Sequence, residues 1–527
     1  MLPTAALWGV RHAHVDDYLG PHRTTYQVTY SGEIALDLGP LGHAYLDDRF
    51  VPKSLQFVGL DIKIEGVRGT QGASTDILSA STLEAYLQVY AEPRGVLHGP
   101  LEKLVTSAII QTAIAEGVLL VVCALWLLRR RWLSPGLARA LRPRWVVSGY
   151  LILVLIILGS VLPAERPGDD RISVSITDNT PFAGMQVDNR LLAVLLNRGI
   201  SGLRVLADRQ QAAIDAYVQT AEASFTEQLG KVAPAATNET MTLGYSDLHC
   251  SLAMTAVIAK VVTQVQPALL ISSGDDTMNG TAAERPCLVR ERAMAGDRPT
   301  VIATGNHDSE TTDAQMRSLG FTVLDGKVVS AGGARFLGDD DPEYNLPFSI
   351  ARTMERKETV PQLGQRMRDV AGSAGGVDVL LVHQPRAAEV IRNVPEPPTR
   401  LLLWGHMHHQ DGPYVINHAD GSWTVALQAG TAGGVKQPTL TDFSTPYTPP
   451  RTVAEIYLFF TDTATGLITG VRPIHFQTDG TAVIDDRINT GNLATLPAPT
   501  RDRLIDARPQ APAAATPVSP SASAATG

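Results

Sequence analysis

In the second half of the chain, short apolar stretches alternate with helical ones. Five apolar stretches read as buried strands, and each runs directly into a polar motif: Met241 to Tyr245, Ala268 to Ser272, Val301 to Thr304, Val377 to Val382, and Leu401 to Trp404. This order predicts an α/β domain, which strands at Ile456 to Phe460 and Leu467 to Pro473 complete near residue 490. Donors on the loops after successive strands are expected to converge at one end of a sheet.

The first half has a different pattern. Strand-like stretches at Thr25 to Tyr30, Glu33 to Leu38 and Leu60 to Ile64 are separated by turns that contain glycine, which predicts a small β-rich unit. Helical patterns cover Ser81 to Tyr90 and Leu203 to Leu229. The Ala/Pro/Ser-rich tail from Pro497 has too few apolar side chains to pack, so we expect it to be disordered.

Two long apolar runs, Leu104 to Leu128 and Val146 to Leu162, separate these halves. Each approaches the roughly 17 to 25 residues that a helix needs to cross a bilayer. The loop between them, residues 129–144, carries six arginines and no acidic residue, and short arginine-rich loops stay on the cytoplasmic side. The pattern predicts a transmembrane hairpin with both flanks outside the cytoplasm; two buried core helices are the alternative.

Two details of this hairpin stay open. Glu116 lies inside the first run, where an ionisable group either makes a functional contact or occupies a tolerated position between helices or near the interface. The orientation also requires the N-terminal unit to cross the membrane, yet Met1 to Leu19 lacks a basic segment followed by a long apolar core. We therefore expect a signal or a further span upstream of Met1.

Composition narrows the class of protein. The chain has 527 residues and a net charge of −9, which argues against a surface that binds nucleic acid phosphates. Its length exceeds one ordinary domain. We divide it into a β-rich unit with a helix leading to the membrane (1–103), the hairpin (104–163), a linker with a long helix (164–240), an α/β domain (241–493) and the tail (494–527).

The polar motifs after the strands form an ordered set of metal donors. They are Asp247-Leu248-His249, Gly274-Asp275-Asp276, Gly305-Asn306-His307-Asp308, His383 and Gly405-His406-Met407-His408. Asp and His with one Asn are donors that bind Mn, Fe or Zn, whereas a structural zinc site would be rich in thiolates. The set predicts a catalytic site for two metal ions.

In type and order these motifs resemble those of the calcineurin-like metallophosphoesterase superfamily, over residues 241 to 485, and the hairpin resembles membrane-anchored bacterial members. The resemblance implies a β-sandwich flanked by helices, in four αββα layers. It also implies that Asp247, His249 and His408 hold one metal, that Asn306, His383 and His406 hold the other, and that Asp275 bridges both.

By the same resemblance, a hydroxide shared by the two metals attacks the phosphorus of a phosphomonoester or phosphodiester in line. His307 is expected to stabilise the transition state or protonate the leaving oxygen, with Asp308 orienting its ring; a supporting role behind the ligands is the alternative. The predicted protein is thus a membrane-anchored, extracytoplasmic phosphoesterase. A catalytically silent sensor with the same fold is the rival interpretation.

Several residues near the motifs receive secondary predictions. Cys250 and Cys287 follow neighbouring strand ends outside the cytoplasm, so we predict a disulfide between them, with two buried thiols as the alternative. His409 and His418 are expected beside the site rather than as ligands. The Asp-rich segment Gly338 to Asn345 is expected to line the pocket.

Overall fold

The fold is described from a computed structural model of the full chain. The structure describes residues 2–20, 22–29, 32–46, 59–67, 89, 93–130, 171–174, 184–232, 234–345, 352–354, 357–436 and 446–495. The predicted second apolar run and the tail from Pro497 lie outside these residues. So does the predicted helix Ser81 to Tyr90, apart from residue 89.

The helices, in chain order, are α1 (Leu2–His12), α2 (Pro93–Arg130), α3 (Arg190–Gln228), α4 (Leu252–Val265), α5 (Arg285–Ala295), α6 (Glu310–Leu319), α7 (Val360–Ser373), α8 (Pro385–Arg392) and α9 (Thr490–Thr495). The strands are β1 (His14–Leu19), β2 (His22–Thr29), β3 (Ile34–Asp37), β4 (His43–Leu46), β5 (Gly59–Val67), β6 (Ile172–Ser173), β7 (Gln186–Val187), β8 (Glu239–Tyr245), β9 (Leu269–Ser272), β10 (Thr300–Ile302), β11 (Thr322–Val323), β12 (Val329–Ala331), β13 (Ala334–Gly338), β14 (Glu343–Asn345), β15 (Arg352–Met354), β16 (Val377–Leu381), β17 (Thr399–Trp404), β18 (Asp411–Asn417), β19 (Trp423–Gln428), β20 (Ala454–Asp462), β21 (Ile468–Phe476) and β22 (Ala482–Ile484).

Two sheets form the C-terminal α/β domain. One has the order β11-β10-β9-β8-β20-β21-β22, and its first four strands run parallel. The other has the order β12-β13-β16-β17-β19-β18, with four parallel strands between antiparallel edges. All seven strands predicted for this domain are present, while β11, β12, β13, β18, β19 and β22 were not predicted.

Alternation along single strands shows how the layers pack. In β20, Tyr457 and Phe459 face the other sheet, whereas Leu458 and its even-numbered neighbours face helices α3 and α4. In β17, Leu403 points between the sheets and Trp404 points toward α7 and α8. Each strand therefore buries both of its faces. The expected order of helix, sheet, sheet and helix follows from these contacts.

A third sheet, of order β1-β2-β5-β3-β4-β7-β6, forms the N-terminal unit. The three strands predicted here are present as β2, β3 and β5. The sheet also includes β6 and β7, which come from the stretch that the sequence assigns to the linker. One part of the sheet packs against α2 through Leu104, and another part packs against the start of α3 through Leu192.

Helix α3 joins the two units. It is 39 residues long, and at about 1.5 Å per residue it spans close to 58 Å. Asn189 caps its first turn by accepting a hydrogen bond from the backbone N–H of Leu192. Its first half packs on the N-terminal sheet, and its second half packs on the α/β domain through Tyr217 and Phe225. The helix begins 13 residues before its predicted start.

Helix α2 contains the first predicted membrane span. Over Gly95–Leu125 it is long and apolar enough to cross a bilayer, and it is the one such helix among the residues that the structure describes. Val105 and Ile109 leave 60% and 64% of their surface exposed, so this face is not buried against the part of the chain that the structure describes. Helix α1 runs antiparallel beside it, with Gly9 against Thr112 and the carbonyl of His14 accepting from Ser107.

Candidate metal centre

The polar motifs lie where the parallel strands end. Asp247, Asp275 and Asn306 follow β8, β9 and β10 of the first sheet, whereas His383 and His406 follow β16 and β17 of the second. The sequence analysis placed all donors at the end of one sheet. The structure brings them together from two, because the sandwich places the carboxyl ends of both sheets' parallel strands side by side.

Several of these residues have an unusual backbone conformation. Asp247, His249, Asp275, His406 and His408 have φ values of 53°, 46°, 57°, 76° and 57°. This left-handed region costs energy for residues with a Cβ, and such strain concentrates at functional sites. The turns aim these side chains inward at an energetic cost that the surrounding packing offsets.

Two glycines let the loops approach closely. A Cβ on Gly305 would lie 2.3 Å from an Asp275 carboxylate oxygen, and one on Gly405 would lie 2.3 Å from an Asp247 oxygen. Neither position requires positive φ. Here glycine is required because the ligand loops pass too near the carboxylates for any side chain.

Hydrogen bonds set the tautomer of three histidines. The Nδ1 atoms of His249, His383 and His408 lie 3.2, 2.9 and 2.9 Å from backbone carbonyl oxygens. Since a carbonyl only accepts, each Nδ1 carries the proton and each Nε2 presents a lone pair. Holding one ring nitrogen in this way is typical of histidines that bind metal through the other.

The lone pairs converge in two groups. In the first, Nε2 of His408 lies 3.2 Å from Nε2 of His249 and 3.3 Å from Oδ1 of Asp247. In the second, Nε2 of His383 lies 3.2 Å from Nδ1 of His406 and 3.1 Å from Oδ2 of Asp275. That same Asp275 oxygen is 3.8 Å from Nε2 of His249. Asp275 therefore lies between the two groups.

Two further observations test whether cations fit. Asn306 is 1% exposed, yet neither its amide nitrogen nor its amide oxygen has a hydrogen-bond partner among the described residues. Burial lowers the pKa of His383, but the Asp275 carboxylate outweighs this and raises that pKa, so positive charge is favoured at Nε2, where a metal ion would take the place of the proton. Buried, unpartnered donors around a carboxylate that attracts positive charge are suited to metal ions. The donor set fits the binding of metal ions.

His307 lies beside this cluster, with both ring nitrogens engaged. Its Nδ1 is 2.7 Å from the carbonyl oxygen of Met278, and its Nε2 is 2.7 Å from Nδ2 of Asn345. The expectation that Asp308 orients this ring is wrong. The Asp308 carboxylate instead accepts from the backbone of Thr277 and Gly305, at 2.9 Å each, and so holds two ligand loops together.

Asn345 is a site residue that motif reasoning missed. The only indication was its place in the Asp-rich segment expected to line the pocket, and the contact with His307 agrees with that expectation. His409 and His418 bond to Met407, Gln428, Ser422 and Thr424 and belong to none of the donor groups.

A cluster of buried acids backs the centre. Burial and the nearby charges of Glu291 and Asp308 raise the pKa of Asp276 well above its usual range. Burial also raises the pKa of Glu291 to about 7, although Tyr245 donates a 2.6 Å hydrogen bond to its carboxylate. Both carboxyl groups are therefore shifted toward the neutral form. No sequence motif indicated Glu291.

The predicted disulfide between Cys250 and Cys287 is present, with the two Cα atoms 5.1 Å apart. Both cysteines are buried. The bond ties the residue after His249 to α5, and so it braces a ligand loop against the helix that carries Glu291.

No family model matches the chain, and no curated protein is similar to it in sequence. Among solved structures, it is similar to an archaeal phosphodiesterase at 12% identity, covering 45% of this chain and 99% of the other with a TM-score of 0.25. A phosphoesterase from E. coli shows 14% identity, coverage of 48% and 100%, and a TM-score of 0.25. A metallophosphoesterase from Sphaerobacter thermophilus shows 13% identity over 51% of this chain and 99% of its own, with a TM-score of 0.20. These TM-scores are too low to support a conclusion about this chain.

Proposed function

We propose that this protein is a membrane-anchored hydrolase of phosphoric esters that uses two metal ions. The observation that carries the proposal is the position of Asp275. Its Oδ2 lies between two groups of histidine lone pairs, while its Oδ1 is held by the backbone N–H of His307 at 2.8 Å. A carboxylate with one oxygen fixed and the other directed at two donor groups is suited to bridging two cations.

Asp247, His249 and His408 would hold one ion, and Asn306, His383 and His406 the other. Two such ions supply an activated water and neutralise the oxygens of a phosphoryl group. The chain's own contribution is a buried ligand frame that is oriented before substrate arrives. Hydrogen bonds to backbone carbonyls keep the His249, His383 and His408 rings in one tautomer. The Asp308 carboxylate holds the loops of Gly305 and Thr277 together.

His307 is the group that donates a proton to the leaving oxygen. It is partly exposed, whereas Asp275 and His383 are buried, so it faces the side from which substrate enters. Its Nε2 is the nitrogen that can bear a transferable proton, because Nδ1 already donates to Met278. Proton donation to an ester oxygen by a positioned histidine typically contributes 10² to 10⁴ in rate, as a rough range.

Helix α2 is the anchor in this proposal. The arginine-rich loop that follows it favours a cytoplasmic position for its end, and the α/β domain would then lie outside the cytoplasm. Glu102 and Lys103 precede the exposed apolar face, which suits an aqueous end on the side of the domain. The predicted second span completes a hairpin.

The test is hydrolysis of aryl phosphate monoesters and diesters by the detergent-solubilised full chain with Mn²⁺. Asp275→Asn removes a charge between the donor groups and should lower turnover by at least about 10²-fold. Asp276→Asn is the matched control: it makes the same change at the neighbouring buried residue, whose carboxyl group bonds to Ser272 and belongs to none of the donor groups. If wild type is inactive with Mn²⁺, Fe²⁺ and Zn²⁺ alike, the rival interpretation as a silent sensor replaces this proposal.

A further inference from the structure

The anchor helix lies directly against the wall of the candidate site. A Cβ added to Gly99 of α2 would be 2.6 Å from the carbonyl oxygen of Ala282, and one added to Gly95 would be 2.4 Å from the Pro286 ring. The α2 backbone thus lies directly on the Ala282 backbone and on the Pro286 ring, too close for a side chain at either glycine. The beginning of α2 is packed on residues 282–286 of the α/β domain.

The stretch just before these residues reaches His307. The carbonyl of Met278 accepts the hydrogen bond from Nδ1 of His307, and Ser309 donates to the carbonyl of Gly280 at 2.6 Å. Glu284 closes the segment by accepting from the backbone N–H of Met278 at 2.8 Å. A single short loop therefore contacts the anchor helix at one end and the proposed proton donor at the other.

Lys103 makes a second connection. Its Nζ lies 3.1 Å from Oγ1 of Thr311, in the first turn of α6, and 3.1 Å from a carboxylate oxygen of Asp17 in the N-terminal sheet. Thr311 is four residues beyond His307. Four residues span at most about 14 Å, so His307 is no farther than this from the residue that α2 holds.

The exposed apolar face of α2 begins next to the contact between Lys103 and Thr311. Val105 is the second residue after Lys103, and from there to Leu125 the large apolar side chains of this face are more than half exposed. Lys103 consequently marks the boundary between the docked, polar part of the helix and the part suited to hydrocarbon. The headgroup layer of a bilayer is roughly 5 to 7 Å thick on each side. His307, within about 14 Å of Thr311, then lies near the proposed membrane surface.

A cleft of about 530 Å³ lies between α2 and α6, beside the contact of Lys103 with Thr311. Its lining is mainly polar and includes Lys103, Thr106, Ile110, Thr311, Ala314 and Ser318. An alkyl chain in this cleft would extend from the level of Thr311 to the exposed apolar face of α2 at Ile110.

From these contacts we infer that the substrate is the phosphate ester of a membrane amphiphile, presented from the bilayer surface, and not a freely soluble ester. The inference rests on the proposed function. In the reaction, water adds its oxygen to phosphorus, the bond from phosphorus to the lipid alcohol's oxygen breaks, and that oxygen leaves with a proton. An anchor packed against the loop of residues 278–286 does not raise the local concentration of a soluble phosphate ester. A substrate in the same bilayer, by contrast, is concentrated beside the site.

The experiment uses full-length protein reconstituted with Mn²⁺ in phosphatidylcholine vesicles. Phosphatidic acid and phosphatidylglycerol serve as the monoester and diester probes, and their water-soluble dibutanoyl forms serve as matched soluble probes. We expect one long-chain probe to be hydrolysed at least about tenfold faster than its soluble form at equal bulk concentration. Its rate should also fall as phosphatidylcholine dilutes it within the bilayer.

Ala314→Trp tests the cleft, because Ala314 is exposed and its replacement fills the space without entering the core. It should lower lipid hydrolysis several-fold and leave aryl phosphate hydrolysis within about twofold, while Ser373→Trp on the exposed end of α7 changes neither. Equal rates for long-chain and dibutanoyl probes, or rates that ignore surface dilution, overturn the inference but leave the proposed hydrolase standing. Loss of aryl phosphate hydrolysis in wild type would instead remove the proposed function itself.

Discussion

Nδ2 of Asn345 lies 2.7 Å from Nε2 of His307, while the Asn345 amide oxygen is buried and finds no partner within the described part of the chain. In this arrangement the amide donates to an unprotonated Nε2. Rotation of the amide would place its oxygen at the same point, where it accepts from a protonated Nε2. Asn345 can therefore position the His307 ring before and after the proton is transferred.

This relationship predicts that Asn345→Ala slows the hydrolysis of alkyl phosphate esters more than that of aryl phosphate esters. Alkyl alcohols are poor leaving groups that need a proton, so we expect a loss of about 10- to 100-fold with an alkyl phosphate and a smaller loss with p-nitrophenyl phosphate. The double variant with His307→Ala should be no slower than His307→Ala alone. Equal losses on both esters in Asn345→Ala would show a purely structural role.

The two adjacent histidines His408 and His409 should behave differently toward metal. Nε2 of His408 faces Asp247 and His249, whereas Nε2 of His409 faces the Gln428 amide. Saturating Mn²⁺ at about 100 times its dissociation constant adds about 2.7 kcal/mol of stability. His408→Ala should lose a large part of the resulting rise in melting temperature, and His409→Ala should keep it. A similar rise in both variants would exclude His408 as a ligand.

The ion pair between Glu239 and Arg487 predicts a pH dependence of stability. Two hydrogen bonds of 2.7 and 3.1 Å join the start of β8 to the stretch after β22, and the bond with Arg487 is the main cause that lowers the pKa of Glu239 to about 2. Because the pKa is lowered on folding, the contribution is fully present above the ordinary value of about 4.3 and disappears as the pH falls toward 2.

Glu239→Gln should therefore cost about 1 to 2 kcal/mol in the free energy of unfolding at pH 7 and much less at pH 3. Urea denaturation of the metal-free protein at both pH values measures this. Glu222→Gln is the control, since its pair with Lys260 has side chains that are 38% and 48% exposed and should contribute little. A cost for Glu239→Gln that is the same at both pH values would contradict the assignment.

The disulfide predicts an effect on stability and on the metal site together. Cys250 and Cys287 are 37 residues apart, and opening a loop of this size costs about 2 to 4 kcal/mol. Replacing both by Ser should lower the melting temperature and weaken Mn²⁺ binding, because Cys250 follows His249. Cys123→Ala in α2 should change neither. In the wild type, alkylation of Cys250 and Cys287 without reductant would argue against the bond.

Much of the α/β domain could be predicted from local patterns. A strand such as Val377 to Leu381 is a run of apolar residues that ends in a ligand motif, and both properties are visible in neighbouring residues. Strand β18 was missed because Gly412 and Pro413 interrupt it, and strand β19 was missed because no ligand motif follows it; its pairing with β17 and β18 is what defines it. Local pattern is therefore a better guide to strands that lead into a ligand motif than to the strands beside them.

The sequence by itself determined which chemistry is available. Aspartate, histidine and asparagine donors occur in a fixed order after apolar strands, an apolar run of membrane length precedes them, and two cysteines lie near strand ends. These properties depend on side-chain type and on spacing along the chain. They can be read without knowing which other residues each one contacts in the folded protein.

Only the tertiary structure decided which of these groups meet. Asp275 and His383 are 108 positions apart, yet their side chains lie 3.1 Å from each other, and they come from different sheets. Lys103 and Thr311 are likewise remote in sequence, yet their side chains are 3.1 Å apart, and this contact brings α2 close to the loop that carries His307. Such contacts depend on how two sheets stack and where a helix docks, because packing over the whole core, and not the local pattern, sets the distances between remote residues.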